Sequence, residues 1–255
     1  MKSTVGLLMV ALLSAAPSLA QERGQPAGAA RAPAPPPGPT GLGRFVIGQP
    51  LAAVIGPLQA EWHTRVRAVS SWLDEEVTYG RPLILELKAP SHDALHQLLR
   101  RCPEVRVFVL PYYELPMPAG TPEQLVSGLY LVFHQGVLAR IWCDDLPVVM
   151  QAFQSEAYGF GAGVRDTIAS AEVVRCTDSA SGQPRTVRQL TIATRTWQHG
   201  DVVAVGCQAT RYYPGLRECF GRAQDYVLIK SCRLDAELLR CQSRVATEPW
   251  LSVSP

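Results

Sequence analysis

Residues 129–158 constrain the fold of this chain more than any other stretch. Two short apolar and aromatic runs, 129–133 and 137–143, lie on either side of the tripeptide His-Gln-Gly at 134–136. Two strand-like runs joined by a short turn that contains glycine are typical of a β-hairpin. The sequence therefore predicts antiparallel strand pairing in this region.

A helix is predicted directly after the hairpin. Asp144 and Asp145 can cap its N-terminus, apolar residues that include Met150 and Phe153 recur at three-and-four spacing, and Gly159 can end it. If the helix folds back onto the hairpin, Met150 and Phe153 bury one face of the two strands. Such a unit can form the nucleus of an α+β domain.

The rest of the chain alternates strand and helix patterns around this unit. Strand-like runs occur at residues 44–48, 66–73, 83–87, 105–110, 172–176, 187–197, 202–213 and 226–230, and helix-like runs at 50–58, 91–102 and 234–239. The prolines of residues 111–118 predict that this segment is no central strand, since proline cannot donate to a strand ladder. We predict an α+β fold, a mainly antiparallel β-sheet with three to four short helices packed on one face, and any subdivision near 116–122.

Residues 1–20 have the pattern of a signal peptide. Lys2 gives a positive start, residues 5–13 are continuously apolar, and residues 18–20 supply the small side chains that a signal peptidase requires. We predict cleavage after Ala20 and a secreted or periplasmic protein. The apolar run is shorter than the roughly twenty residues that span a bilayer, so no transmembrane segment is expected in the mature chain.

Residues 21–43 are mostly Ala, Pro and Gly, with the run Pro-Ala-Pro-Pro-Pro-Gly-Pro at 33–39. A segment with so little apolar surface cannot offset the entropy that ordering costs. We therefore predict a disordered Pro-rich linker, followed by a globular region at 44–255.

Charge gives no sign of a nucleic-acid or membrane-surface partner. The 24 basic and 22 acidic residues nearly balance, and Arg100-Arg101 is the only adjacent basic pair. Affinity for nucleic acid or an anionic membrane would need a basic patch. The expected partner is an unknown protein or a component of the cell envelope.

Cysteine usage predicts disulfide bonds. In an oxidising compartment some cysteines should pair, and an odd number leaves at least one unpaired in the monomer. Five of the seven follow residue 175, so most bridges are expected in the C-terminal part, with the pairing left open. The seven residues are Cys102, Cys143, Cys176, Cys207, Cys219, Cys232 and Cys241. Without a CxxC or zinc-finger spacing, no metal or cofactor is expected.

His92 and His96 form the one candidate metal pair. They lie four residues apart on a predicted helix, a spacing that lets two imidazoles share one metal ion. No third ligand follows at a usable spacing. Two exposed surface histidines are therefore the favoured interpretation.

Three further groups could carry chemistry. Asp144 and Asp145 could form an acid/base pair, although helix capping explains them more simply. Cys143 could be a nucleophile only as a thiolate, which two following carboxylates disfavour. The Gly-rich segment 159–163 has the composition of a phosphate loop, but it follows a helix rather than preceding one. No GxSxG elbow occurs, and no catalytic or cofactor-binding residue is assigned.

These observations favour a non-enzymatic exported protein that binds a partner or serves the cell envelope. The alternative is a secreted hydrolase whose site is assembled from scattered residues such as Asp144, Asp145 and His134. A third hypothesis is a metal-binding envelope protein that uses His92 and His96.

Overall fold

The part of the chain that the structure describes begins at residue 39, inside the predicted linker. A computed structural model describes residues 39–70, 82–88, 102–115, 124–154, 160–178, 181–213 and 218–246. Strands β1 (Gly41–Leu42) and β2 (Phe45–Val46) form a short antiparallel hairpin. The side chains of Leu42 and Phe45 are fully buried. This hairpin overlaps the end of the segment 21–43 that was predicted as a linker, because isolated apolar residues in a Pro-rich segment give no periodic signal.

Most of the described residues lie in strands. The other elements are α1 (Leu51–Glu61), β3 (Val66–Val69), β4 (Ile84–Leu87), β5 (Val105–Leu115), β6 (Gln124–His134), β7 (Val137–Cys143), α2 (Leu146–Gln154), β8 (Val164–Ala169), β9 (Val173–Thr177), β10 (Pro184–Arg188), β11 (Leu190–His199), β12 (Val202–Tyr212), β13 (Gly221–Ser231) and α3 (Cys232–Ala246). None of these three described helices combines the length and apolarity needed to cross a bilayer.

One large mixed sheet organises the fold. Nine strands lie in the order β3-β4-β5-β6-β7-β13-β12-β11-β8, while β9 pairs with β10 in a separate small sheet. The pair β3–β4 is parallel, and the other neighbours in the large sheet are antiparallel. Parallel neighbours need a crossover of about a dozen residues, and residues 70–83 supply that length. The predicted α+β class is confirmed, and the prediction of a mainly antiparallel sheet is met in part, since the sheet is mixed and contains the parallel pair β3–β4.

The predicted hairpin and helix are confirmed. Strands β6 and β7 pair around a tight turn in which Gln135 and Gly136 have φ values of 51° and 77°. The helix α2 packs onto this hairpin, and its Phe153 is fully buried in the main core. The ring of Phe153 meets that of Trp197 edge-on, with centroids 5.3 Å apart. This contact ties the hairpin unit to the β11–β12 half of the sheet.

The helices cover both faces of the sheet, so the prediction of one helical face is wrong. On β5, Phe108 and Leu110 belong to the core cluster that contains α1 and α2. Val107 and Val109 belong to a second cluster, which contains Leu238 of α3. Successive side chains of a strand point to opposite faces. We call the α1/α2 side the first face and the α3 side the second face.

The predicted break at residues 111–118 is only partly correct. Strand β5 runs through Pro111 to Leu115 and keeps its pairing with β6. Proline is tolerated because β4 pairs only with residues 107–109, which leaves Pro111 with a strand neighbour on one side. The possible subdivision near 116–122 lies outside the described residues, although the strands on both sides pair with each other.

Two disulfide bonds crosslink the described part. Cys176–Cys219 lies wholly in the C-terminal part, as predicted, whereas Cys102–Cys241 ties α3 to the start of β5. The Cys102–Cys241 bridge joins residues that are 139 positions apart in the sequence. A crosslink over so long a loop removes much conformational freedom from the unfolded chain.

Gly206 allows α2 to approach the sheet. A Cβ at this position would lie 2.9 Å from Sδ of Met150 and 3.0 Å from Cδ1 of Leu146. We expect Gly206→Val to lower the free energy of unfolding by about 1–3 kcal/mol through overpacking. Urea denaturation measures this value. Adding Met150→Ala should offset part of the loss, and simple additivity of the two changes would contradict the packing argument.

Candidate functional site

A buried ionic cluster lies between α3 and the second face of the sheet. Arg140 of β7 and Lys230 of β13 lie directly opposite each other, and Asp235 of α3 sits between them. Asp235 accepts from Nε of Arg140 through Oδ1 and from Nζ of Lys230 at 2.7 Å through Oδ2. Its side chain is only 5% exposed. One carboxylate from the helix therefore neutralises much of the charge of two facing cations on the sheet.

The start of α3 is fixed to the β11–β12 turn. Oγ of Ser231 accepts from the Leu234 backbone N–H at 3.1 Å, and its hydroxyl donates to Asp201. Asp201 also accepts from the N–H of Arg233 at 3.1 Å and, through its carbonyl, from that of Cys232 at 2.8 Å. These bonds satisfy donors that a helix N-terminus otherwise leaves unpaired. They set the position from which Asp235 reaches the sheet.

His134 is buried beside the same helix. Its Nε2 lies 3.6 Å from Glu104 Oε1, and its Nδ1 lies 4.0 Å from Glu237 Oε2 of α3. Both separations exceed normal hydrogen-bond length. With a side chain only 4% exposed, His134 has no direct access to a solvent-borne substrate. The position favours a structural role between β6 and α3.

The acidic pair after β7 lies at the start of α2, where the Asp144 carboxylate packs against neighbouring groups. Oδ1 of Asp144 accepts from the indole N–H of Trp142 at 2.7 Å. Burial raises the pKa of Asp144. A Cβ on residue 128 would lie 2.7 Å from Asp144 Oδ2, so the left-handed Gly128 lets the carboxylate sit against the backbone. The carbonyl of Asp145 accepts from the N–H of Val149 in the first turn of α2.

The residues proposed for a scattered hydrolase site are not brought together. His134 lies opposite Val137 at one end of β7, and Asp144 and Asp145 follow the other end. At about 3.3 Å per strand residue, these ends are roughly 20 Å apart. Cys143 is buried, and burial raises the pKa of its thiol to about 12. It therefore remains a thiol at neutral pH, which removes it as a nucleophile.

A second thiol belongs to an aromatic cluster on the second face. The rings of Trp142 and Tyr226 stack with centroids 4.4 Å apart. Cys207 lies directly opposite Tyr226 and is buried with it. Burial raises the pKa of Cys207, although its hydrogen bond with Tyr226 opposes the rise. The Cys207 thiol and the Tyr226 hydroxyl are tolerated in this apolar environment because they bond to each other.

Residues 160–163 of the Gly-rich segment pack against the indole of Trp197. The carbonyl of Gly161 accepts from the Trp197 indole N–H at 3.2 Å, and Phe160 packs edge-on against Phe153. Gly161 and Gly163 have positive φ values of 69° and 66°. The segment leads into strand β8 rather than a helix, so it lacks the helix N-terminus on which nucleotide loops rely.

The candidate metal pair cannot be placed. His92 and His96 lie outside the described residues. Within the described ranges, no three His, Cys, Asp or Glu side chains lie close enough to hold a metal ion.

Most of the large exposed apolar side chains of the described part belong to the C-terminal half of the sequence. Of six large exposed apolar residues in the described part, five lie between residues 164 and 220. We call these five residues the arm surface: Val164, Ile168, Val173, Tyr213 and Phe220. Val164 and Ile168 are 73% and 56% exposed on β8, an edge strand of the large sheet. Tyr213 and Phe220 contact each other, with ring centroids 6.3 Å apart.

Sequence reasoning missed both the ionic cluster and the arm surface. Arg140 and Lys230 each stand in an apolar strand run, where a lone cation signals a buried partner. Asp235, in the first turn of a Leu-rich helix, was the available partner, but strand register is needed to bring the three together. Strand β8 was missed because all six of its residues are exposed and give no apolar periodicity.

Removal of the Asp235 carboxylate should strongly destabilise the protein. Asp235→Ala leaves two facing cations under α3, and breaking such a buried pair costs about 3–5 kcal/mol. Urea denaturation measures the loss. Arg185→Ala, which breaks an exposed ion pair with Asp178, is the control and should cost at most about 1 kcal/mol. Equal effects of the two variants would contradict the buried cluster.

The three unpaired cysteines should differ sharply in reactivity. Cys232 is exposed, whereas Cys143 and Cys207 are buried and burial raises the pKa of both thiols. Iodoacetamide at about pH 8 should therefore label Cys232 alone in the native protein. Unfolding without reductant should add labels at the other two, as read by intact mass. Rapid native labelling of Cys143 would overturn the assignment.

Comparison with known proteins leaves the function to be inferred from these contacts. The chain matches no protein-family model, no curated protein and no solved structure. Two features of the described part bear on function. The ionic cluster holds α3 in place, and the arm surface contains five of the six large exposed apolar side chains of the described part.

Proposed function

We propose that this chain is an exported, non-enzymatic binding protein of the cell envelope that contacts a protein partner through the arm surface. The supporting observation is the concentration of five of the six exposed large apolar residues of the described part on this surface. Exposed apolar side chains that lie together are a feature of interaction sites, and within the arm surface Tyr213 and Phe220 contact each other. The sixth residue, Val46, stands apart on the N-terminal hairpin.

The disulfide bonds are consistent with export from the cytoplasm. Two disulfide bonds are present, and such bonds persist in oxidising compartments. The predicted signal peptide supplies the route. The Cys176–Cys219 bridge ties β9 to the segment next to Phe220, so oxidation also holds part of the arm surface in place.

The partner would contact side chains of β8 more readily than its backbone. An edge strand offers unpaired backbone groups to which another strand can add. At the middle of β8, however, the N–H of Thr167 already donates to Oδ1 of Asp166 at 2.7 Å. This local bond opposes strand addition at that point. Ile168, with its side chain exposed, remains available for apolar contact.

The positions of the candidate residues favour the binding proposal over the hydrolase alternative. The carboxylates and imidazole of the hydrolase alternative lie at opposite ends of β7, too far apart to act on one bond. The arm surface instead presents large apolar side chains to solvent, and two of them, Tyr213 and Phe220, contact each other.

Site-specific photocrosslinking in the producing cells tests the proposal. A photoreactive amino acid at Ile168 or Phe220 should give a discrete protein adduct in the envelope fraction. The control is the same amino acid at Ala52, an exposed position on α1. Mature protein from that fraction should begin at Gln21. Absence of adducts at both arm positions, or equal adducts at Ala52, contradicts binding through this surface, and cytosolic protein that retains Met1 contradicts export.

A further inference from the structure

We propose that Arg165 and Arg195 form a binding site for a phosphate group on the first face of the sheet. Arg165 of β8 lies directly opposite Arg195 of β11. The N–H of Ser170 donates to the carbonyl of Leu190, which fixes the alternation of hydrogen-bonded pairs along these strands. By that alternation Arg165 and Arg195 are a non-hydrogen-bonded pair, with Cα atoms about 4.5 Å apart and side chains at their closest.

The two guanidinium groups lack an ion-pair partner within the described part. Neither arginine forms an ion pair with any described carboxylate. Asp166 is adjacent in sequence, but its side chain lies on the opposite face and bonds the N–H of Thr167. Asp225, on the first face, is two strands away from Arg195 and accepts from Gln208. Among the residues that the structure describes, the pair therefore presents two positive charges without an ion-pair partner.

A second pair of facing cations in this protein has a carboxylate between its members. Arg140 and Lys230 are also directly opposite on neighbouring strands, and there Asp235 occupies the position between the cations. Like charges directly opposite on a sheet are destabilising. An external anion at Arg165 and Arg195 would take the role that Asp235 has under α3.

The backbone beside the site restricts the Arg195 side chain. A Cβ on residue 163 would lie 3.0 Å from Cγ of Arg195 and 2.7 Å from Cε2 of Trp197. Gly163 therefore lets the chain pass against the stem of Arg195. The bond from the Trp197 indole to the Gly161 carbonyl holds this segment in place. The guanidinium of Arg195 thus extends from a stem held on one side, while that of Arg165 is exposed.

The donor set fits a phosphate monoester best. Each guanidinium is a planar fork that can bind two oxygens, and it remains charged at all physiological pH values. A phosphate monoester carries about −1.5 to −2 charge and three strong acceptor oxygens. It can satisfy both forks at once, whereas one carboxylate has a single charge and two oxygens. Inorganic phosphate and a phosphorylated lipid headgroup share this chemistry.

This site goes beyond the proposed function and is independent of it. Arg165 and Ile168 lie on opposite faces of β8, since side chains alternate along a strand. Loss of protein adducts at Ile168 would leave the phosphate site untouched, and loss of phosphate binding would leave the arm surface untouched.

The test uses the purified mature protein with both disulfides intact. Inorganic phosphate, added against chloride at constant ionic strength, should raise the melting temperature saturably and give a calorimetric binding isotherm. Arg165→Gln and Arg195→Gln should each weaken binding about tenfold or more, as expected for loss of charge-assisted hydrogen bonds. The matched control is Arg175→Gln on β9, an exposed arginine that lies opposite Thr186 rather than another cation.

A second readout separates loss of the site from loss of the fold. Without phosphate, Arg165→Gln should melt about 1–4 °C above the wild type, because it relieves like-charge repulsion. The variant should then show no further rise with phosphate. Absence of saturable binding to the wild type, or equal weakening by Arg175→Gln, overturns the proposal.

Two further probes distinguish the source of the phosphate. Phosphatidic acid vesicles in phosphatidylcholine should sediment the wild type, but not Arg195→Gln, if the natural ligand is a lipid headgroup. Binding of glycerol phosphate without sedimentation by these vesicles assigns a soluble phosphate monoester. Sedimentation of both proteins alike would show charge attraction without the site and would count against it.

Discussion

Burial of both faces of the central strands is the constraint on which the rest of the structure depends. Phe108 of β5 is covered by the α1/α2 core, while the adjacent Val107 and Val109 are covered by the α3 core. A strand buried on both faces needs apolar residues at successive positions rather than at every second one. Both helical layers are therefore required, and the loss of α3 would expose the β4–β6 region to water.

Three kinds of bond hold α3 on the second face. Ser231 and Asp201 fix its N-terminus, Asp235 fixes its first turn to two cations, and Cys241 attaches a later turn to Cys102. A buried ion pair adds little net stability, because desolvation of the charges opposes their attraction. Its contribution here is positional: displacement of the helix would leave Arg140 and Lys230 facing each other without a carboxylate.

The sequence predicts what is local and misses what depends on register. Strands β6 and β7 and the helix α2 could be predicted because the turn, the helix start and the apolar spacing all lie in one short stretch. The face that α3 covers could not, since Leu238 requires an apolar neighbour without specifying which face of the sheet supplies it. Asp235 meets Arg140 across a separation of 95 residues, which no local pattern encodes. The facing of Arg165 and Arg195 likewise appears only when the register of β8 on β11 is known.

The exposed edge of the sheet follows from the same two-residue period that builds the core. On β8 the period places Val164 and Ile168 on one face and Arg165 on the other, so a single strand presents apolar contact on one side and positive charge on the opposite side. Because Asp166 bonds the central outward N–H, backbone addition at this point would first have to break that bond. The apolar side and the charged side of β8 can therefore be altered one at a time.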